Sequence, residues 1–288
     1  MSHSTVAVIA GKLMLPASRH GWRGDCPLCA YPRAFSLRAA RRGQPLAWCA
    51  NGCTREQISE ILARLTGGVW RAPPPPDAEK QAEALARKAE AARRLWTGAG
   101  PVHGTPADAY LWSRGLGHLT ASPALRWRTD VTHPDLSGRV PAMLASVTDA
   151  AGMLTAVHRT YLLANGRKRL DVEPRASLGP SWGGVVRLSA PVAGNPLVIG
   201  EGIETSASAG LMLSLPAWAA ISAGNLGQGL ALPREIAAVI IAGDPDGPGE
   251  RAAPQAALRW SREGRAVRIA RPCGAGDFND LWLARGAA

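Results

Sequence analysis

No continuous apolar run in the 288 residues reaches membrane-spanning length, and there is no Gly-x-x-x-x-Gly-Lys-Ser/Thr phosphate loop. The first absence excludes an apolar transmembrane helix, and the second a recognisable ATP-driven motor. Met1 to Pro16 is mildly apolar, but it carries Lys12 and lacks the small-residue cleavage pattern of a secretory signal, so a cytoplasmic protein is expected. Cysteine is sparse, five in all, which in that compartment argues against a disulfide scaffold. What is present is ample: 46% hydrophobic residues in a chain of this length can fill the cores of two domains or more.

Charge is plentiful and uneven. Residues 1–100 hold 15 Lys and Arg against 7 Asp and Glu, residues 101–190 hold 10 against 6, and residues 191–288 hold 8 against 9. The net charge of +11 therefore sits in the N-terminal two-thirds, beside a nearly neutral but acid-bearing last third. A basic body next to such a segment fits a polyanionic substrate. An arginine-rich composition also makes many proteins basic, so charge alone gives nucleic-acid binding modest support.

The acids of the last third follow a pattern. Leu197 to Gly200 reads as a short buried strand with Glu201 at its carboxyl end, followed by a small-residue helix from Ile203 to Leu215. Ala217 to Ile221 reads as a second strand and Ile236 to Ala242 as a third, the latter ending in Gly243-Asp244-Pro245-Asp246-Gly247. A helix over about 249–263, starting late or kinking at Pro254, leads to a strand at Ala266 to Ala270 and then to Asp277-Phe278-Asn279-Asp280. Strands alternating with helices imply a parallel, doubly wound sheet, which binds ligands beyond the carboxyl ends of its strands. Each acid alone reads as a cap or turn residue. Together, carboxylates meeting on one crest must take up protons or share a cation, and oxygen-only ligands suit Mg²⁺ or Mn²⁺.

Glu201, the Asp244-x-Asp246 pair and the looser Asp277 with Asn279 or Asp280 resemble the Toprim domain, the catalytic module of bacterial primases, type IA and II topoisomerases and some nucleases. Glu201-Gly202-Ile203-Glu204-Thr205 and Asp277-Phe278-Asn279-Asp280 resemble the variant in primase-like proteins of phages, plasmids and integrated elements. The chain departs from bacterial primases at Thr205, where those carry an Asp.

Toward the N-terminus, Cys26-Pro27-Leu28-Cys29 and Cys49-Ala50-Asn51-Gly52-Cys53 are separated by 19 residues, the spacing of a tetrahedral four-cysteine site for structural Zn²⁺. Phe35 to Arg38 and Leu46 to Trp48 read as the strands of a zinc ribbon, with Arg41-Arg42-Gly43-Gln44 as a basic hairpin. Thr54 with Gln57 is a capping-box signature, and Ile58, Ile61, Leu62 and Leu65 form the core-facing stripe of the helix it starts. This segment resembles the zinc-binding domain of phage- and plasmid-type primases, which makes Arg33, Arg38, Arg41 and Arg42 candidates for DNA contact. The fifth cysteine, Cys273, is expected to be inert.

Four prolines, Pro73 to Pro76, mark a stiff boundary, and Asp77 to Trp96 reads as a charged, mostly solvated helix. Beyond it, Thr105-Pro106 is a helix start, and Met143 to Val147 and Leu154 to Leu162 read as strands. The expected organisation is thus a zinc ribbon over 1–70, a linker and helix over 71–99, a middle α+β segment over 100–190 and a Toprim domain over 191–288. The middle resembles the subdomain preceding Toprim in primases, which implies that Arg159, Lys168 and Arg175 line a cleft facing the metals. For Arg159 an ordinary ion pair is an equal alternative, and His158 is expected to be structural. Tryptophans flanking arginines, at Trp22-Arg23, Trp70-Arg71 and Arg126-Trp127-Arg128, suit either base stacking or core filling.

The resemblance implies a primase that joins nucleoside triphosphates on a single-stranded DNA template by a two-metal mechanism, with a separate helicase as partner. Glu201, Asp244 and Asp246 would hold Mg²⁺ or Mn²⁺, with Asp277 or Asp280 completing the catalytic set and Glu201 a ligand or an acid–base group. Two rivals remain: a Toprim nuclease using the same acids, and a non-catalytic zinc and Toprim DNA-binding module. About 140 residues separate Cys53 from Leu197, whereas in the mediators of that last kind the zinc site adjoins the Toprim part. A topoisomerase is not expected, since Tyr31, Tyr110 and Tyr161 lie in segments too small for a gate domain.

Overall fold

The structure, a computed structural model, describes residues 3–18, 21–40, 44–67, 77–274 and 276–286. The expected DNA contacts Arg41 and Arg42, Trp70-Arg71 and the proline run Pro73 to Pro76 lie outside the described residues. The chain divides into two compact units, Met1–Ala78 with Pro134–Ser137, and Glu79–His133 with Gly138–Ala288. Among the described residues, no helix is long and apolar enough to cross a membrane.

In the first unit four antiparallel strands run in sequence order: β1 (Ala17–Ser18), β2 (Gly21–Gly24), β3 (Phe35–Ala39) and β4 (Pro45–Cys49). Helices α1 (His3–Lys12) and α2 (Arg55–Leu65) cover one face, and Val6, Ile9, Phe35, Leu37, Ile58 and Leu62 form the core between them. The capping box at Thr54 is formed: the Gln57 amide N–H donates to Thr54 Oγ1 at 3.3 Å, and the Thr54 N–H to Gln57 Oε1 at 2.9 Å. Ile58 and Leu62 of the α2 stripe are fully buried, and Ile61 and Leu65 pack partly against the same core. Helix α1 had no counterpart in the sequence reading.

The second unit joins two sheets. Helix α3 (Ala78–Thr97) is mostly solvated, as its charges predict, and docks Ala92, Leu95 and Trp96 on Val131, Leu144, Val157 and Tyr161. These belong to an antiparallel meander, β5 (Leu125–Thr132), β6 (Arg139–Thr148), β7 (Leu154–Tyr161) and β8 (Arg175–Leu178). Its other face, with Met143, Ala145, Val147 and Ala156, packs with α4 (Pro106–Ser113) and with Ile203, Ala207 and Ala219 of the C-terminal segment. Trp127 fills this core, while Trp22 packs partly in the first unit, so both serve the core-filling alternative.

The second sheet has the order β13-β12-β10-β11-β9. Strands β10 (Leu197–Gly200), β11 (Ala217–Ala219), β12 (Ala238–Ala242) and β13 (Ala266–Ala270) are parallel, and β9 (Val186–Arg187) is an antiparallel edge. Helices α5 (Ile203–Leu213), α6 (Gly247–Arg262) and α7 (Phe278–Gly286) follow β10, β12 and β13. Val198 and Ile199 are wholly buried, each contributing about 1.5–3 kcal/mol by leaving water. Two expectations are corrected. Helix α6 starts at Gly247, because Asp246 caps it, and runs through Pro254. Strand β11 stops at Ala219, and Ile221 takes a left-handed φ of 73°, a costly conformation for a β-branched residue.

Candidate active site

Strands β10 and β12 are neighbours with Gly200 opposite Ala242, so Glu201 and Asp244 leave the sheet side by side at its carboxyl rim. From β10 the chain crosses through α5 to β11 on one side, while β12 lies on the other. Strand order therefore reverses between β10 and β12, the position at which such sheets bind their ligands.

Glu201 is buried at that switch point. Asp244 Oδ1 accepts a hydrogen bond from Thr205 Oγ1 at 3.0 Å. Burial, with the charges of Asp246 and Asp277, pushes the Asp244 carboxyl up to about 6 against the opposing Thr205 hydrogen bond and the field of Arg175. Asp246 accepts from the Gly249 amide N–H at 2.7 Å as the α6 cap. A Cβ on Gly249 would lie 2.7 Å from the Asp244 carbonyl oxygen and 2.8 Å from Asp246 Oδ1, so only glycine lets the helix start this close beneath both acids. Asp277 Oδ1 accepts from the amides of Asn279 at 2.8 Å and Asp280 at 2.9 Å, and Asp280 Oδ2 takes the Asp277 N–H at 3.1 Å. Of this last pair, Asp277 is the one whose field raises Asp244, while Asp280 closes the cap of α7. Asn279 is a packing residue, donating to the Arg114 carbonyl oxygen and Ser208 Oγ.

The basic residues divide. Arg175, on β8, acts electrostatically on both Asp244 and Glu204. Lys168 Nζ sits 2.7 Å from Glu204 Oε1. Arg159 does not reach the cleft. It is buried on the α3 face of the meander with Val157 and Tyr161, its guanidinium donating to the carbonyl oxygens of Thr132 at 2.8 Å, Ser177 at 3.1 Å and Ala176 at 3.4 Å. Side chains alternate across a strand, so the cleft-facing neighbour is His158. Burial first, then Arg175, pulls the His158 imidazole down to about 3, and its Nδ1 lies 3.3 Å from Ser177 Oγ. His158 is thus neutral and structural.

Residues 196–288 match the family model described as Toprim domain. The crest is that of a Toprim domain. Residues 86–188 match a domain of unknown function, and a search of curated proteins gives no match. Among solved structures, the DnaG primase catalytic domain bound to ssDNA is similar at 18% identity, over 72% of this chain and 78% of that one, with a TM-score of 0.47. The primase fragment of the bacteriophage T7 primase-helicase protein is similar at 14% identity, over 93% and 95%, with a TM-score of 0.44. The Aquifex aeolicus primase, zinc binding and RNA polymerase domains, is similar at 14% identity, over 98% and 80%, with a TM-score of 0.45.

Among the described residues one set of donors is gathered closely enough to hold a metal ion, the four cysteines of the first unit. On the Toprim rim desolvation first, then the charges of Asp246 and Asp277, make Asp244 hard to ionise, a condition a divalent cation relieves, and oxygen donors suit Mg²⁺ or Mn²⁺. In the first unit the sulfurs of Cys26, Cys29, Cys49 and Cys53 lie within 4.8 Å of one another. The Cys26–Cys53 and Cys29–Cys49 separations are 3.7 and 3.8 Å, the edge length of a tetrahedron whose metal–sulfur distance is about 2.3 Å. Asn51 turns its amide N–H toward Cys49 Sγ and Nδ2 toward Cys29 Sγ, and Gly52 takes the left-handed φ of 84° that the knuckle requires. Cys273 is exposed and far from this set in sequence. Arg38 is exposed on β3, with Trp48 exposed on the adjacent strand β4.

Sequence reasoning assigned no role to Glu204, Tyr110 or Thr205. Glu204 had a signal, an acid in the first turn of α5 three residues after Glu201. Tyr110 had none, being 94 residues from the carboxylate it meets.

Proposed function

We propose that this chain is a primase-like nucleotidyltransferase that joins nucleoside triphosphates on a single-stranded DNA template. The observation that carries the reading is Asp244, half-buried at the switch point of a Toprim sheet between like charges from Asp246 and Asp277 and the opposite field of Arg175. An acidic crest faced by fixed cations is what a triphosphate with its divalent ions demands.

In this reading Glu201, Asp244, Asp246 and Asp277 hold two Mg²⁺ or Mn²⁺ ions. When bound, these supply charge neutralisation at the pyrophosphate leaving group and acidify the attacking 3′-hydroxyl. Thr205 orients Asp244 through its hydroxyl hydrogen bond, and Asp246 is held at its post by the first turn of α6. Arg175 and Lys168 carry the phosphate charge from the opposite wall. The four-cysteine site binds Zn²⁺ and stiffens the ribbon, on which Arg38, together with Arg41 and Arg42, contacts the template strand. The full partition is the one given from the sequence, over 1–70, 71–99, 100–190 and 191–288, in a cytoplasmic protein working with a separate helicase.

The test is an incubation of the purified chain with single-stranded DNA, labelled nucleotides and Mg²⁺ or Mn²⁺, comparing wild type with Asp244→Ala. Short new oligomers that vanish in the variant support priming. Shortened template would mean a nuclease, and neither product would mean a binding module.

A further inference from the structure

We infer that Glu204 and Tyr110 are positioning residues that hold the Lys168 ammonium at the cleft wall for the phosphates of a nucleoside triphosphate. This rests on the reading of the cleft as a nucleotide site.

The three side chains come from separate elements. Tyr110 is on α4, Lys168 lies in the loop between β7 and β8, and Glu204 is in the first turn of α5. All three converge on one oxygen. Lys168 Nζ is 2.7 Å from Glu204 Oε1, and the Tyr110 hydroxyl donates to that same atom. The ammonium also lies 5.5 Å from the centroid of the Tyr110 ring, so the phenol contacts the lysine through its face and the glutamate through its hydroxyl. Arg114, 5.7 Å over the same ring, reaches Asn279 Oδ1 at 3.4 Å beside the Asp277 cap, which ties this wall to the acidic crest.

Stability does not account for the arrangement. A partly buried ion pair gains little over apolar side chains of similar volume, because desolvation offsets most of the attraction. Burial opposes ionisation of Glu204, yet Lys168, Tyr110 and Arg175 hold its carboxylate well below the usual range, so the charge is kept. What the arrangement does achieve is placement. A free lysine stem must be ordered when a phosphate arrives, whereas one already held on two sides has met that entropic cost. Glu204 also removes a hazard. Arg175 feels both Glu204 and Asp244, so acids flank the basic wall on two sides. An unanchored ammonium there would turn to the crest and compete with the cations it gathers.

The experiment is a double-mutant cycle on the full chain, read by steady-state primer synthesis and by equilibrium binding of a fluorescent ATP analogue. Tyr110→Phe and Glu204→Gln are each expected to raise KM for nucleotide about five- to fifty-fold, the range for side chains in direct contact, with kcat within about twofold. Glu204→Gln combined with Lys168→Met is expected to be no worse than Lys168→Met alone. Independent, multiplying effects of the two would overturn the inference, as would unchanged KM and analogue binding in both single variants. Should Glu204→Gln fail to fold, Tyr110→Phe, which removes one hydroxyl, carries the test. ATP-analogue binding without any polymer formed would sink the nucleotidyl-transfer reading and leave this one standing. Absence of analogue binding in the wild type would sink both.

Discussion

The two clusters of metal-type donors in this protein are built in opposite ways. The four cysteines lie within 28 residues, on two knuckles whose spacing alone brings the sulfurs within 4.8 Å. The carboxylates of the crest are spread from Glu201 to Asp277 and share one rim only because β10 and β12 are sheet neighbours and aspartates cap the helices that start there. The first cluster is a local property of the chain, and the second is a property of topology. The cysteine set should therefore stand or fall with its metal, while the crest should survive loss of its metals or of a single acid.

The largest effect expected from this contrast is on the ribbon. Chelation, or Cys26→Ser, should unfold the first unit and release about one zinc, since structural zinc contributes on the order of 10 kcal/mol to such sites. Circular dichroism with zinc counting would show it, and a ribbon that stays folded without metal would break the comparison. Next, Asp244→Ala should lower nucleotide joining about a thousandfold, several kcal/mol of transition-state stabilisation, while the melting temperature holds or rises. The rise follows from removing a half-buried carboxylate that its neighbours repel. A variant that unfolds would instead show the crest to be structural. Third, Glu201→Gln keeps shape and removes charge. Weakened Mn²⁺ binding marks Glu201 as a ligand, and unchanged binding with a slower rate marks it as an acid–base group.

Per pH unit, the smallest effect concerns His158. Its imidazole is depressed to about 3 in the folded state, while the unfolded chain titrates near 6.5. Below that value the unfolded state binds the extra proton, so stability falls as pH drops from about 6.5 toward 3, at up to about 1.4 kcal/mol per pH unit from this group. His158→Gln should flatten that part of the profile relative to wild type in denaturant titrations. Identical slopes would mean that His158 is charged in the fold.

How far the sequence could be read follows the same division. The knuckles, the Thr54 capping box and the acids after Gly200 and Ala242 were visible because each depends on neighbours within a few residues. Arg159 was misplaced because a strand presents alternate residues to opposite faces. Nothing in Val157-His158-Arg159-Thr160 says which parity looks toward the cleft until α3 covers the other side. The Tyr110–Glu204 contact depends on two segments folding against each other, which no periodicity encodes. The early start of helix α6 at Gly247 was hidden because the Asp246 cap and the close-fitting Gly249 that fix it read as turn residues.

The seam between the meander and the Toprim sheet is stitched by backbone groups. Asn225 Oδ1 accepts from the Gly183 N–H at 2.8 Å while its Nδ2 donates to the carbonyl oxygens of Gly184 at 2.8 Å and Ala220 at 2.7 Å. Ser189 takes the Ala217 N–H through its hydroxyl and the Trp218 indole N–H through its carbonyl oxygen. Parting the segment before β10 from the Toprim sheet would break four of these hydrogen bonds, all but Asn225 to Ala220, so the stretches 86–188 and 196–288, though each matches its own family model, should melt as one. A polypeptide severed between them would give two halves soluble only in each other's company, and their reassembly from separately made chains would restore the cleft.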